Sequence, residues 1–392
     1  MKSVIYSYFL IWATALCLSS CGASGDHDDK SPIVAANLSP IDSALIDINL
    51  PPGFRINYYA QNVKNARQMS LSESGILYVG TRRHGSVYAL QDTDGDMVAD
   101  KKYTLLRDMN LPNGVAMRQG TLYIAEVNRI IAIDDIEDRL SDDMDYRVVY
   151  DGYPEEVHHG WKFIAFGPDD MLYVPVGAPC NICESEDPIF NTITRIKLDG
   201  SDPEIVQRGV RNTVGFTWHP DTDEMWFTDN GRDWMGDNSP ACELNHAPKD
   251  DMHFGYPYCH QGDMPDPEYG AKFPCSDFTA PAQNLGPHVA PLGLEIYRGE
   301  QFPDEYDRAI LIAEHGSWNR TDPIGYRLSM VRLDDAGKSR GYEMFATGWL
   351  RDGEEKPWGR PVDLEPMPDG SMLVSDDHGD AIYRISYKGQ EE

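Results

Sequence analysis

Short apolar triplets set between polar turns recur along this chain: Leu77-Tyr78-Val79, Leu122-Tyr123-Ile124, Leu172-Tyr173-Val174, Met225-Trp226-Phe227, Ile310-Leu311-Ile312 and Met372-Leu373-Val374. Turn-forming segments such as SESG, GPDD, HPDTDE and MPDGS precede them, and a second β-rich run such as SVYAL, RIIAI or AIYRI often follows. β-Branched and aromatic residues in short runs bounded by Gly, Pro, Asp and Ser read as strands joined by tight turns. From Leu77 through Leu122 and Leu172 to Met225 the steps are 45, 50 and 53 residues, and those to Leu311 and Leu373 are 86 and 62. Periods of that size with several strands per unit are the mark of propeller blades, so six copies predict an all-β, six-bladed β-propeller. A pair of β-sandwiches would not require the sixfold recurrence, and no amphipathic run is long enough for a helical domain.

The best-defined unit runs from His158 to Cys183. Alternation of Phe163, Ala165 and Gly167 with Lys162, Ile164 and Phe166 predicts a strand, GPDD a turn, and Leu172, Tyr173, Val174 and Val176 the returning strand. That hairpin places His158 and His159 at a strand entrance, where loops carry function. The long interval before the fifth triplet holds a Pro/Gly-rich insertion bordered by Cys259 and Cys275. Loops of that length are usually functional.

An apolar content of 41% suffices for a core, and the formal charge is −30. Such a field repels phosphate backbones, so a nucleic-acid partner is not expected, and the acidity reads as solubility. At the N-terminus, Lys2, the apolar run Val4 to Leu18 and Leu18-Ser19-Ser20-Cys21 have the form of a lipoprotein leader. The apolar run is too short for a membrane span. Residues 1–20 are thus expected to be removed, Cys21 to carry lipid, 21–45 to tether, and 46–390 to form the propeller. Gly22 favours the outer membrane, periplasmic or surface-facing, and an ordinary cleaved leader is the alternative. In an oxidising compartment Cys180, Cys183, Cys242, Cys259 and Cys275 are disulfide candidates. Five is odd, so one thiol stays free, and the pairing is open. A lone Cys-x-x-Cys is a weak zinc signal.

Four loops offer binding chemistry: Arg211-Asn212, Asp229 to Asp233, His315 to Arg320, and Trp358 to Asp363 with Arg360. If the ring closes, all converge on one mouth of its channel. Separately, Asp92, Asp94, Asp96 and Asp100 occupy positions one, three, five and nine of a calcium loop, with Tyr103 where a bidentate glutamate belongs. A second calcium site and a solvated acidic turn are both open there.

The motifs HHGWKFIAFGPDDMLYVPVG, GVRNTVGF, TDNGRDWMGDNSPACELN, FGYPYCHQG, EHGSWNR and GRPVDLEPMPDG resemble the sorbosone dehydrogenase group of quinoprotein sugar dehydrogenases, relatives of the soluble glucose dehydrogenases. The resemblance spans about Leu50 to Tyr387. It implies a six-bladed propeller using pyrroloquinoline quinone (PQQ) and Ca²⁺ to oxidise an aldose or sugar aldehyde to the lactone or acid. His159 is then the catalytic base, with His158 beside it. Arg211 and Asn212 match the pair that contacts the PQQ carboxylates and quinone oxygens, and Arg360 a later arginine of that site. His315, Asn319 and Arg320 are looser matches, because the glucose enzymes carry a lysine in that loop. The backbone carbonyls of Gly231 and Arg232 match the calcium ligands. Two positions depart from the glucose enzymes: Ala178 replaces the aspartate that orients the histidine, and Val214 replaces a cofactor-site glutamine. No Cys-x-x-Cys-His haem motif occurs, so electrons are expected to leave to an external acceptor. Two alternatives share the architecture: a calcium-dependent lactonase, which needs a carboxylate-lined channel, and a non-catalytic carbohydrate-binding propeller.

Overall fold

The structure, a computed structural model, describes residues 42–334 and 336–389. Among these, six sheets of four or five strands make up the blades of a propeller. Each predicted triplet lies in the second strand of a blade: Ile76–Thr81, Thr121–Ala125, Leu172–Val176, Met225–Asp229, Ile310–Glu314 and Met372–Asp376. Flanked on both sides by neighbours in the sheet and packed on both faces, second strands read as unbroken apolar runs, and five of the six are buried throughout.

Closure comes from the chain's beginning. Phe54–Gln61 pairs antiparallel with Ala381–Tyr387, Phe54 opposite Tyr387 and Gln61 opposite Ala381, so the sixth blade takes its outer strand from the N-terminal side. Apolar clusters lie between consecutive blades around the ring. Ile76, Val87, Leu122 and Ile131 join the first and second blades, and Leu77, Tyr88, Leu373 and Ile382 join the sixth to the first. Near the axis, Val214, just ahead of a first strand, meets Leu292 and Val362, which lie near the starts of first strands, and Trp161 packs against them.

The hairpin after His159 is shorter than the alternation predicts. Only Ala165–Phe166 pairs with the returning strand. The backbone of the two residues ahead of Phe163 and Ala165 is met by side chains of earlier blades instead. Asn113 Nδ2 donates to the Lys162 carbonyl at 2.7 Å, Gln68 Nε2 donates to the Ile164 carbonyl at 2.6 Å, and the Ile164 N–H donates to Gln68 Oε1 at 2.9 Å. The GPDD turn forms as expected, with the Asp170 N–H donating to the Gly167 carbonyl and Asp170 at φ +62°.

The long insertion connects the third and fourth strands of the fourth blade. Its Met252–His253 adds in parallel to the third blade, Cys259–His260 forms a small hairpin with Met264–Pro265, and Cys259 bonds to Cys275. The other disulfide is Cys180–Cys183, and Cys242 is the free, buried thiol.

Candidate active site

Because neighbouring strands in a blade are antiparallel, the start of the first strand and the end of the second share one face of the disc. The segments holding His159, Arg211 and Arg360 precede first strands, while those holding Ala178, Gly231 and His315 follow second strands. All therefore open on the same mouth. The Pro-Asp turns and the Asp92–Asp100 loop between third and fourth strands face the other side. A cavity of about 380 Å³ occupies the mouth, and His159, Arg211, Asn212, Gly231, His315, Asn319 and Arg360 all line it.

His159 is 9% exposed and sits at φ +51°, a left-handed conformation that costs a non-glycine residue about 1–3 kcal/mol. Its Nδ1 lies 3.0 Å from the carbonyl oxygen of Ala178. A carbonyl can only accept, so Nδ1 carries the hydrogen and Nε2 keeps its lone pair in the neutral ring. The missing aspartate is thus replaced by main chain at the same position. Gly177 makes the approach possible, since a Cβ there would stand 2.7 Å from the Cβ of His159. Burial, then the charges of Arg211 and His158, hold the imidazole well below its usual range, so it is a free base at neutral pH.

Arg211 is 4% exposed and held from several sides. Its Nε donates to the Asn181 carbonyl at 2.9 Å, one Nη to Asn181 Oδ1 at 2.8 Å and to Asp233 Oδ2 at 3.0 Å, and the other Nη to the Asn230 carbonyl at 3.2 Å. Asp233 Oδ1 accepts from Asn319 Nδ2 at 2.8 Å, tying the fifth blade's loop to the fourth's. Beneath, the Asp229 carboxylate accepts from the Arg211 and Asn212 backbone N–H groups at 2.8 and 2.6 Å. Asn181 itself sits inside the Cys180–Cys183 loop.

Opposite lies a second network. His315 Nε2 donates to Asp377 Oδ1 at 2.7 Å, and Arg67 Nη1 to Asp377 Oδ2 at 2.9 Å. Burial pushes His315 down to about 4, so a neutral imidazole meets an ionised carboxylate. Arg360 donates to the His315 and Gly316 carbonyls at 2.9 and 2.7 Å.

The arginines decide what the cavity accepts. Arg67, Arg82, Arg83, Arg211 and Arg360 all reach it, and Asp233 is the one carboxylate among the described lining residues. Asp233 is engaged by Arg211 and Asn319, so the wall is not the carboxylate-lined channel that the lactonase alternative requires. Arg82 and Arg360 make no salt bridge with any described carboxylate. Arg82 stacks 3.5 Å above the Trp161 ring, and its Nε has no hydrogen-bond partner. Burial, then the charges of Arg67 and Arg83, push its guanidinium down to about 9. A protein of charge −30 has thus gathered uncompensated cations around a cavity with an indole in its wall. A flat aromatic tricarboxylate such as PQQ fits that donor set by charge, by hydrogen-bond demand and by shape. Of the two main-chain calcium candidates, Gly231 lines the cavity, whereas Arg232 is not among the lining residues and its guanidinium is turned away to Asp266 and Glu268.

The TrAA12-like family profile matches residues 48–388, which is most of the chain. This chain belongs to the TrAA12-like family. An uncharacterized protein of Borreliella burgdorferi is 32% identical over 354 residues, covering 87% of this chain and 91% of the relative. Among solved structures, the calcium structure of the family AA12 enzyme of Trichoderma reesei superposes with a TM-score of 0.76 at 20% identity, covering 87% of this chain and 97% of that one. The holo PQQ domain of Coprinopsis cinerea pyranose dehydrogenase gives 0.75 at 18%, covering 86% and 97%. The PQQ-bound aldose sugar dehydrogenase of Streptomyces coelicolor gives 0.63 at 18%, covering 87% and 100%. At such identities the likeness establishes a common fold, the six-bladed propeller expected from the repeats.

Within this TrAA12-like chain some expected residues stand apart. Arg320 is not on the cavity wall: its Nη2 donates to Asn238 Oδ1 at 3.2 Å on the rim. Asp92, Asp94 and Asp100 come together on the far face, but Asp96 turns to the Val98 N–H. Burial raises Asp92, yet the N–H groups of Gly95, Met97, Asp94 and Asp96 outweigh it and hold the carboxyl below its usual range. That loop satisfies its carboxylates largely with its own backbone. Cys21 and the leader lie outside the described residues. Conversely, Arg67, Arg82, Trp161, Asn181 and Asp377 carry no individual signal in the sequence. For Arg82 the signal is positional, since Thr81-Arg82-Arg83-His84 follows a second strand as Asn230 and His315 do.

Proposed function

We propose that the protein is a PQQ-dependent dehydrogenase that oxidises an aldose or sugar aldehyde to the lactone or acid, with calcium at the cofactor. The observation that carries this reading is a neutral, buried histidine with a free Nε2 facing a cavity lined by five arginines, of which Arg82 and Arg360 have no carboxylate partner among the described residues. Arg82, Arg360 and the remaining N–H of Arg211 would hold the cofactor's carboxylates, and Trp161 its ring. Gly231 and Arg232 would offer main-chain oxygen to Ca²⁺, which supplies Lewis-acid polarisation. PQQ, when bound, supplies a two-electron acceptor for hydride.

The chain's own residues set the rest. His159 Nε2 is placed to take the proton from the anomeric hydroxyl, or from a hydrated aldehyde, as C–H cleavage develops. The Ala178 carbonyl holds the tautomer and steadies the imidazolium that forms. Asn212 offers a neutral amide beside the base, suited to a sugar oxygen or a quinone oxygen. The buried Asp229 carboxylate keeps the Arg211-Asn212 backbone from shifting under load. Electrons then leave to a separate acceptor. Family membership supports this reading, as do the sugar dehydrogenases among the structural neighbours.

The test is anaerobic addition of an aldose and aldehyde panel to PQQ- and calcium-loaded protein. Bleaching of the oxidised quinone by at least one sugar is expected. Bound cofactor that no sugar reduces would contradict the dehydrogenase and favour a sugar-binding propeller.

A further inference from the structure

Two tryptophans stand in the open at the cavity rim. Trp234 is 70% exposed and Trp318 is 66% exposed, and their rings meet edge to face with centroids 5.3 Å apart. Indoles are the side chains a surface least readily leaves in water as a pair. Trp234 also sits at φ +70°, a backbone region that bulky residues avoid, so the chain spends conformational energy to present it. The two loops cannot fold down to hide the rings. Asn319 Nδ2 donates to Asp233 Oδ1 at 2.8 Å, Arg320 Nη2 to Asn238 Oδ1 at 3.2 Å, and the Thr321 N–H to Asp237 Oδ2 at 3.2 Å. The pair is therefore a built feature, contiguous with the cavity through Trp318 and Asn319.

We propose that Trp234 and Trp318 form an outer subsite for a second pyranose ring, so that the substrate is the reducing end of an oligosaccharide rather than a free monosaccharide. This rests on the dehydrogenase reading of the cavity. A pyranose has one face of C–H bonds, which stacks on an indole, and a rim of hydroxyls. Beside the indoles stand planar hydrogen-bonding groups, Asp237, Asn238 and Arg320, which suit those hydroxyls. A cavity of about 380 Å³ leaves little room beyond a tricyclic cofactor and one reacting ring, so a longer ligand would extend to the rim. A charge of −30 disfavours an anionic membrane surface as the occupant. Two indoles are also a small fraction of the roughly 800 Å² per partner that a stable protein interface needs.

The experiment has two arms. Reducing gluco-, manno- and galacto-oligosaccharides of increasing length are assayed with holoenzyme, and the same sugars are titrated into PQQ-free protein while tryptophan fluorescence is followed. At least one series is expected to gain about tenfold in kcat/KM from monosaccharide to disaccharide or trisaccharide, mainly through KM. Trp234→Ala and Trp318→Ala should each bring that ratio toward one, and the Phe variants should restore part of it. In the PQQ-free arm the oligosaccharide should perturb the fluorescence of wild type and not of the double Ala variant. If monosaccharides are oxidised, yet length changes neither kcat/KM nor fluorescence in any series, the subsite is refuted and the dehydrogenase stands. If no sugar is oxidised but the fluorescence response appears and depends on both tryptophans, the subsite stands and the dehydrogenase falls.

Discussion

The carbonyl oxygen of Ala178 lies 3.0 Å from Nδ1 of His159 and can orient the ring, the role that the resemblance to the glucose enzymes gives to an aspartate. A main-chain acceptor fixes the same tautomer without adding negative charge. The imidazole therefore keeps a depressed proton affinity, set by burial and by Arg211 and His158. A base paired with a carboxylate would instead be pulled upward.

That relationship predicts the pH profile. General-base action needs the neutral ring, and a pKa held well below 6.5 leaves it neutral through the physiological range. The acid limb of kcat/KM should fall well below pH 6.5, with a plateau through pH 7. His159→Ala should lower kcat by roughly 10²–10⁴ with PQQ affinity largely kept. An acid limb at or above pH 6.5, or wild-type turnover in the variant, would remove His159 from this role.

Asn181 should act on cofactor affinity through Arg211. Asn181→Ala deletes the Oδ1 acceptor shared by the Arg211 guanidinium and the Asp233 N–H. A hydrogen bond to a charged group contributes about 1.5–3 kcal/mol, so PQQ Kd should rise about tenfold or more. Replacing Cys180 and Cys183 by serine should act in the same direction by freeing the loop. Titration of PQQ into each variant checks both.

Glu243 gives a stability prediction of definite sign. Burial, then the charge of Asp229, push its carboxyl from 4.5 up to about 8. The folded state thus keeps a proton that the unfolded chain releases. That contribution is complete below about pH 4.5 and is lost as pH rises toward 8. Glu243→Gln keeps an acceptor for the Gln261 N–H and cannot ionise. Its urea midpoint should fall less than that of wild type between pH 5 and pH 8, and equal slopes would contradict the assignment.

At the N-terminus the lipoprotein reading predicts that Cys21→Ser moves the protein from the membrane fraction to the soluble one. Fractionation of expressing cells checks it, and unchanged membrane association would refute the lipid anchor.

Much of the fold was legible because second strands are fully buried, and a period-2 pattern gives way there to continuous apolar triplets. The short strand before Gly167 was not, because Asn113 and Gln68, distant in sequence, satisfy the backbone that a longer strand would have paired. The cavity was legible through residues whose neighbours in sequence already looked reactive: His159, Arg211, Asn212 and Arg360. Ala178 stands in the sequence as a departure from the orienting aspartate, and the group that takes over, its own carbonyl, is invisible to a side-chain comparison. Arg82 and Asp377 lie in blades far apart along the chain, and only ring closure brings them to one mouth. Both disulfides are local, Cys180–Cys183 and Cys259–Cys275, but five cysteines alone leave open which thiol stays free.

The most direct measurement is titration of PQQ into purified, calcium-supplemented apoprotein, wild type and Arg82→Met, with thermal unfolding recorded alongside. Saturable one-to-one binding with a rise in Tm is expected for wild type. The variant should bind at least tenfold more weakly, while its ligand-free Tm is raised, because a half-buried cation without a carboxylate partner has been removed. Absence of binding by the wild type, or equal affinity in the two proteins, would contradict the arginine cradle on which the functional account stands.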